Sequence, residues 1–164
     1  MKKKLLYIAS LDSIHSLKWI NFFLKLGYEI SVISLKQKNK NYEFLKKINL
    51  FIFDKYKSTY LNVLYCIISI LLKRKLFSLN NITHVHYIGF NGLISLFLKT
   101  NNLILTAWGD DIKTNRKNFI KNFFLKILLK KSTIITTDSN EMKKLIINID
   151  KNTHNKIKVI NFGI

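Results

Sequence analysis

Residues 82–111 read ITHVHYIGFNGLISLFLKTNNLILTAWGDD. Two strand-type runs, Ile82–Tyr87 and Leu103–Ala107, flank a helical stretch at Asn91–Leu98. Strand, helix, strand is the crossover unit that joins parallel strands. Leu103–Ala107 is almost continuously apolar, the pattern of a strand covered on both faces.

The alternation continues in both directions. Toward the N-terminus, Leu5–Ser10 reads as a strand. A helix capped by Ser13 follows to Leu26, with Leu17, Ile20, Phe23, Leu24 and the adjacent Trp19 on its apolar face. Gly27 stands where a helix ends, and Tyr28–Ser34 is a second strand. Lys36–Asn41 is a lysine-rich loop, Ile48–Phe53 a third strand and Ser58–Lys75 a helix. Toward the C-terminus, Thr114–Lys131 is an amphipathic helix and Thr133–Thr137 a strand. Asp138 with Glu141 forms a capping box that opens a helix to Ile149, and Lys156–Ile160 is the last strand. No repeat or linker interrupts the pattern. The expected fold is α/β: a Rossmann-like parallel sheet with helices on both faces, in one domain over residues 1–164.

Composition narrows the function. The 164 residues are 48% hydrophobic, too apolar for a disordered chain, and the lone Cys66 excludes a disulfide scaffold. Cys66 reads as a small buried hydrophobe. The net charge is +19, yet Arg74 and Arg116 are the only arginines among 28 basic residues. With the heavy use of Ile and Asn, this matches A/T-rich coding more than selection at one site. Readers of nucleic acid favour the planar fork of Arg, so the charge points to an anionic membrane surface before any specific nucleic acid. A basic nucleic-acid-binding protein is the weakest reading. The apolar run at Leu5–Leu11 is too short for a secretory signal, and Leu61–Leu72 is about half of the ~20 residues a spanning helix needs. The expected location is cytoplasmic.

Ligands of open parallel sheets bind beyond the C-terminal strand ends, and polar residues collect there. The first strand runs into Ser10-Leu11-Asp12-Ser13-Ile14-His15, and the fourth ends in His84-Val85-His86-Tyr87 ahead of Gly89 and Gly92. The fifth ends in Thr106-Ala107-Trp108-Gly109-Asp110-Asp111, and the sixth in Thr136-Thr137-Asp138-Ser139. Three of the four histidines and four of the nine acidic residues fall at these edges, which marks a ligand cleft. Gly109 permits a tight turn. Asp110 and Asp111 could orient a hydroxyl, act as a base or bind metal, or one of them could cap the next helix. His15 reads either as a cleft residue or as a capping or surface side chain. His84 and His86 share a strand face, but no further ligand lies at useful spacing, so no metal is expected. His154 reads as surface. Glycine-rich phosphate loops and the nucleophile elbow are missing, against a dinucleotide enzyme, a P-loop NTPase or an α/β-hydrolase.

In Thr114–Lys131, the stripe Phe119, Ile120, Phe123, Phe124, Ile127 and Leu128 is flanked by Lys117, Lys121, Lys126, Lys130 and Lys131. It suits an anionic bilayer surface or an ordinary core helix with a solvated basic face; Leu125 and Leu129 widen the apolar surface.

The whole chain resembles the N-terminal domain of family 4-like GT-B glycosyltransferases. His15, Lys18-Trp19 and Gly27-Tyr28-Glu29-Ile30 look like the family's opening. His84-Val85-His86-Tyr87 resembles its D-[IV]-V-H-x-H segment. Thr106–Asp111 resembles the T-x-W-G-S-D form of one branch, with Asp110 for the usual Ser. Ile134–Met142, Lys156–Ile160 and Phe162-Gly163-Ile164 resemble the A-D-x-I-T-x-x-S-x-x-M … G-[IV]-D end. Thr83 stands for the usual Asp, and Ser10–Ser13 replaces a glycine-containing loop.

The resemblance implies half of a GT-B fold, ending at Ile164 before a C-terminal nucleotide-sugar domain with an E-x7-E motif. It implies retaining transfer of a sugar from a nucleotide diphosphate donor to a polysaccharide or lipid-linked acceptor in cell-surface glycan synthesis, without a metal. The chain alone is expected to be inactive and to hold no cofactor; the nucleotide-sugar donor belongs to the missing half. By the same resemblance, Asp111 contacts the acceptor or reacting centre, and Asp111→Ala abolishes transfer with the fold intact. Trp108, Gly109 and Asp110 shape the cleft, and Ser10, His15, His86 and Tyr87 line it. Two further readings are a non-catalytic, membrane-docking subunit of a split glycosyltransferase with a separate donor-domain chain, and a remnant of an interrupted gene. In either enzyme reading, peripheral attachment is expected at the inner face of the cytoplasmic membrane.

Overall fold

The computed structural model describes residues 3–36, 42–77 and 82–160. Residues 37–41 of the expected lysine-rich loop, and the Phe162-Gly163-Ile164 segment, lie outside the described residues. The strands are β1 (Lys4–Ile8), β2 (Glu29–Ser34), β3 (Asn49–Ile52), β4 (Ile82–His86), β5 (Leu103–Ala107), β6 (Ile134–Thr137) and β7 (Ile157–Val159). They form one wholly parallel sheet in the order β3-β2-β1-β4-β5-β6-β7. The helices are α1 (Ile14–Lys25), α2 (Thr59–Leu72), α3 (Arg74–Phe77), α4 (Ile88–Ser95), α5 (Asp110–Asn115), α6 (Phe119–Lys131) and α7 (Asn140–Ile149).

The two-residue period of the strands divides the core. On one face, Leu5, Tyr7, Ile30 and Val32 pack against Leu17 and Ile20 of α1. On the other, Leu6, Ile8, Ile33, Val85 and Leu105 meet α2, α4, α6 and α7 through Val63, Cys66, Ile94, Leu128 and Ile146. Each fully buried Leu or Ile contributes about 1.5–3 kcal/mol. Helices cover both faces, as the alternation predicts. Cys66 is buried as expected, and burial pushes its thiol up to about 12.

The helix expected at Asn91–Leu98 runs instead over Ile88–Ser95, starting directly after β4, and three further boundaries differ from the sequence reading for a local reason. The span Thr114–Lys131 is two helices, because Asn118 takes extended backbone and its side chain accepts from Lys121 N. Helix α7 is capped by Ser139, whose Oγ accepts from Met142 N, so Asp138 stands outside it. The Ser58–Lys75 helix breaks at Lys73 before α3.

Candidate active site at the strand ends

The chain fills the sheet from β1 to β3 in one direction, then from β4 to β7 in the other. The crevice of such a sheet lies where the order reverses, between β1 and β4. Tyr7, His84 and His86 project there on the α1 side. The rings of His84 and His86 are 4.4 Å apart, and Tyr7 lies 5.1 and 5.2 Å from them. Trp19 of α1 sets its ring edge-on to both histidines, at 5.6 and 5.7 Å. Trp108 neighbours both His15, at 4.8 Å, and His86, at 6.3 Å.

The two buried histidines differ in their hydrogen bonds. His84 Nε2 meets Thr106 Oγ1 at 2.7 Å, and Thr106 Oγ1 meets Thr136 Oγ1 at 2.8 Å, a polar ladder across three strands. His86 is 1% exposed, and among the described residues neither ring nitrogen has a hydrogen-bond partner; the Tyr7 hydroxyl has none either. Burial, then the neighbouring His15, lowers His86 to about 3, so its imidazole is neutral at physiological pH. Burial likewise holds His84 well below the usual histidine range, with His86 adding to the effect.

Asp111 sits elsewhere. It is 1% exposed, and its Oδ1 accepts from Trp108 N, Gly109 N and Ile112 N at 3.1, 3.0 and 2.9 Å. Its Oδ2 accepts from Ile88 N at 2.8 Å, which ties the loop after β5 to the start of α4. Burial raises its carboxyl above the usual range, while the four N–H bonds pull the other way. The loop needs Gly109, at φ +102. Tyr87 also takes a left-handed conformation, φ +64, beside the kink at Gly89. A non-glycine residue held there marks stored strain of about 1–3 kcal/mol, as functional sites often carry.

The expected cleft residues therefore separate into two places. His15, His86 and Trp108 come together on the α1 side. Tyr87 and Asp111 line a cavity of about 220 Å³ between α4, α5 and α6, with Phe124 and Lys121 among its walls. Ser10 serves the intervening turn, its Oγ accepting from Asp12 N, and Asp110 is exposed as the first residue of α5. Lys117, Lys121, Lys126 and Lys130 are all exposed on or beside α6. His154 is a surface residue, as expected. Among the described residues, no three His, Cys, Asp or Glu side chains are grouped to hold a metal ion.

Most of the stripe named on α6 faces away from the core, Leu128 being its one buried member. Leu125, Leu128 and Leu129 are buried, whereas Phe119 is 88% exposed and Ile120, Phe123 and Phe124 also face outward.

The model of the glycosyl transferase 4-like family matches residues 4–139. The chain belongs to the glycosyl transferase 4-like family. Its fold is also that of solved structures. A glycosyltransferase from Rickettsia africae superposes with a TM-score of 0.63 at 17% identity, over 97% of this chain and 42% of that one. Anabaena HepE, solved in complex with UDP, gives 0.57 at 12% identity, over 100% of this chain and 44% of that one. UDP-N-acetylglucosamine 2-epimerase from Rickettsia bellii gives 0.58 at 12% identity, over 96% and 44%. This glycosyl transferase 4-like chain thus spans less than half the length of these structures. A comparison with curated proteins finds no significant match.

Sequence reasoning missed Tyr7, which closes the histidine cluster in this family member. The available signal was that its hydroxyl is the one polar side-chain group in Leu5–Ala9. Asn91 was also missed; its Nδ2 donates to the His86 carbonyl at 2.7 Å and holds the end of β4.

Proposed function

We propose that this chain is the acceptor-side half of a retaining GT-B glycosyltransferase. In this reading it works in cell-surface glycan synthesis at the inner face of the cytoplasmic membrane. A nucleoside-diphosphate sugar, held by a donor-binding domain or chain at the same strand edge, gives its sugar to a glycan or lipid-linked acceptor bound here. The UDP in the Anabaena structure and the UDP-sugar in the epimerase's name support that donor class. By itself the chain is inactive.

The observation that carries the reading is His86, buried at the reversal of strand order with both ring nitrogens lacking a partner. A neutral imidazole offers one donor and one acceptor, which suits a sugar hydroxyl. With its depressed pKa it orients and does not supply a proton at neutral pH. Trp108, beside His15, offers an aromatic face for the sugar ring. Asp111 is a positioning residue: its four N–H bonds fix the Trp108-Gly109 turn and the start of α4.

The test is to follow the Trp108 indole and the histidine rings by NMR during addition of saccharide acceptors and nucleotide sugars. Saccharides are expected to shift Trp108, His15 and His86, and His86→Ala to lose the response. If nucleotide sugars alone shift these signals, the acceptor-side assignment is wrong.

A further inference from the structure

Helix α2 has two apolar faces. Val63, Cys66 and Ile70 face the core, while Leu61, Leu64, Tyr65, Ile68 and Leu72 form a second stripe, at helical spacing, that faces outward. Leu72 is 80% exposed and Tyr60 69%. An apolar strip of this length on a surface marks an interaction site. No helix among the described residues is long and apolar enough to cross a membrane.

Helix α6 lies on the same side of the sheet. Tyr60 of α2 packs on Phe90 of α4 at 5.2 Å, and Leu128 of α6 packs against Gly92 of α4, so the two helices flank α4. Residues 55–77 contain five basic residues and no acidic one; residues 112–131 contain seven and none. The basic groups bracket the α2 strip: Lys55 and Lys57 before it, Lys73, Arg74 and Lys75 after it. Lys55 Nζ lies 5.9 Å from the centre of the Tyr65 ring, at the strip's own edge.

We propose that the outward faces of α2 and α6 seat this protein on an anionic bilayer, with the apolar strips in the acyl boundary and the basic groups at the headgroups. This rests on the reading of the chain as a glycosyltransferase half working at a membrane, and it names the surface that meets the lipid. Charge complementarity favours the bilayer over a second copy. The strip is basic at both ends, so a parallel or an antiparallel pair of α2 helices sets like charges together. A donor-binding partner covers it poorly. Helix α2 runs from the C-terminal end of β3 toward the start of β4, so Ile68, Leu72 and Leu76 lie toward the far end from the ligand crevice. Long basic side chains beside exposed Leu and Tyr are the arrangement that interfacial helices use.

The test is cosedimentation of the chain with vesicles of phosphatidylcholine and phosphatidylglycerol in equal parts, against phosphatidylcholine alone. Binding is expected to the mixed vesicles, and to weaken as salt rises. Leu64→Ser with Ile68→Ser, both exposed positions, should lower the affinity at least about tenfold at unchanged circular dichroism. Lys73→Gln, Arg74→Gln and Lys75→Gln together should weaken binding to mixed vesicles and leave the low binding to neutral ones unchanged. Binding that is absent, or indifferent to the paired serine substitution, overturns the proposal. So does a dimer in sedimentation equilibrium that the same pair dissolves, since the strip then belongs to a second copy. The assay contains no sugar donor or acceptor, so its failure is distinct from failure of the saccharide titration.

Discussion

Asp111 accepts four backbone N–H bonds, three on Oδ1 and one on Oδ2. Removing it leaves those donors without an acceptor in a buried loop, at about 1–3 kcal/mol for each one that water fails to reach. Asp111→Ala is therefore expected to cost at least about 3 kcal/mol in a urea titration, and Asp111→Asn less, since one oxygen remains. An alanine variant within about 1 kcal/mol of the parent refutes the anchoring role. Its low activity alone cannot then be read as lost chemistry, unlike the expectation drawn from the sequence. The spacing Trp-Gly-Asp-Asp put a carboxylate at the right strand end. It could not show which way that carboxylate turns, because the deciding partner, Ile88 N, is 23 residues away. The histidine pair has the same character. The two-residue period placed His84 and His86 on one face, but it could not show that Thr106, which lies opposite His86 in the β4–β5 register, bonds His84 instead and leaves His86 unpaired.

Helices α4 and α6 approach at Gly92, where a Cβ would lie 2.8 Å from Leu128 Cδ1 and 3.1 Å from Ile88 Cγ2. Both neighbours are buried, so the added methyl must displace packed side chains. Gly92→Ala is expected to destabilise by about 1–3 kcal/mol, as core overpacking does. Combined with Leu128→Val, it should cost less than the sum of the two single changes in a double-mutant cycle. Strict additivity within about 0.3 kcal/mol means the contact is not tight. Lys131 secures the same pair of helices: its Nζ donates to the carbonyls of Ser95, Leu96 and Leu98 at the end of α4. Strand positions were legible because near-continuous apolar runs have few other solutions. The α6 faces were not. Its apolar residues nearly encircle it, so periodicity offers two candidate stripes, and contact with α4 selects Leu125, Leu128 and Leu129.

At the scale of the whole molecule, the sheet buries two histidines in their neutral form, and that links global stability to pH. Between about 6.5 and about 3 the unfolded chain protonates His86 while the folded one does not. Protons thus favour the unfolded state, so stability is full above about 6.5 and falls as the pH drops toward about 3. His86 contributes a slope of about 1.4 kcal/mol per pH unit, or about 2 kcal/mol by pH ~5. His84 acts with the same sign, because its ring is also held below the ordinary range. The His86 share alone is a sizeable part of a total that for most domains is about 5–15 kcal/mol. Asp111 has the opposite sign, since its raised carboxyl favours the folded state as the pH falls, but it is common to parent and variant. Urea unfolding of the parent and of His86→Gln, measured from pH ~7.5 to ~5, isolates the His86 share. The variant's stability should decline more shallowly, by about one proton's slope, whatever Gln costs at neutral pH. Parallel curves would mean that His86 is protonated within the fold, and its assignment as a neutral hydrogen-bonding group for a sugar hydroxyl would fall with it.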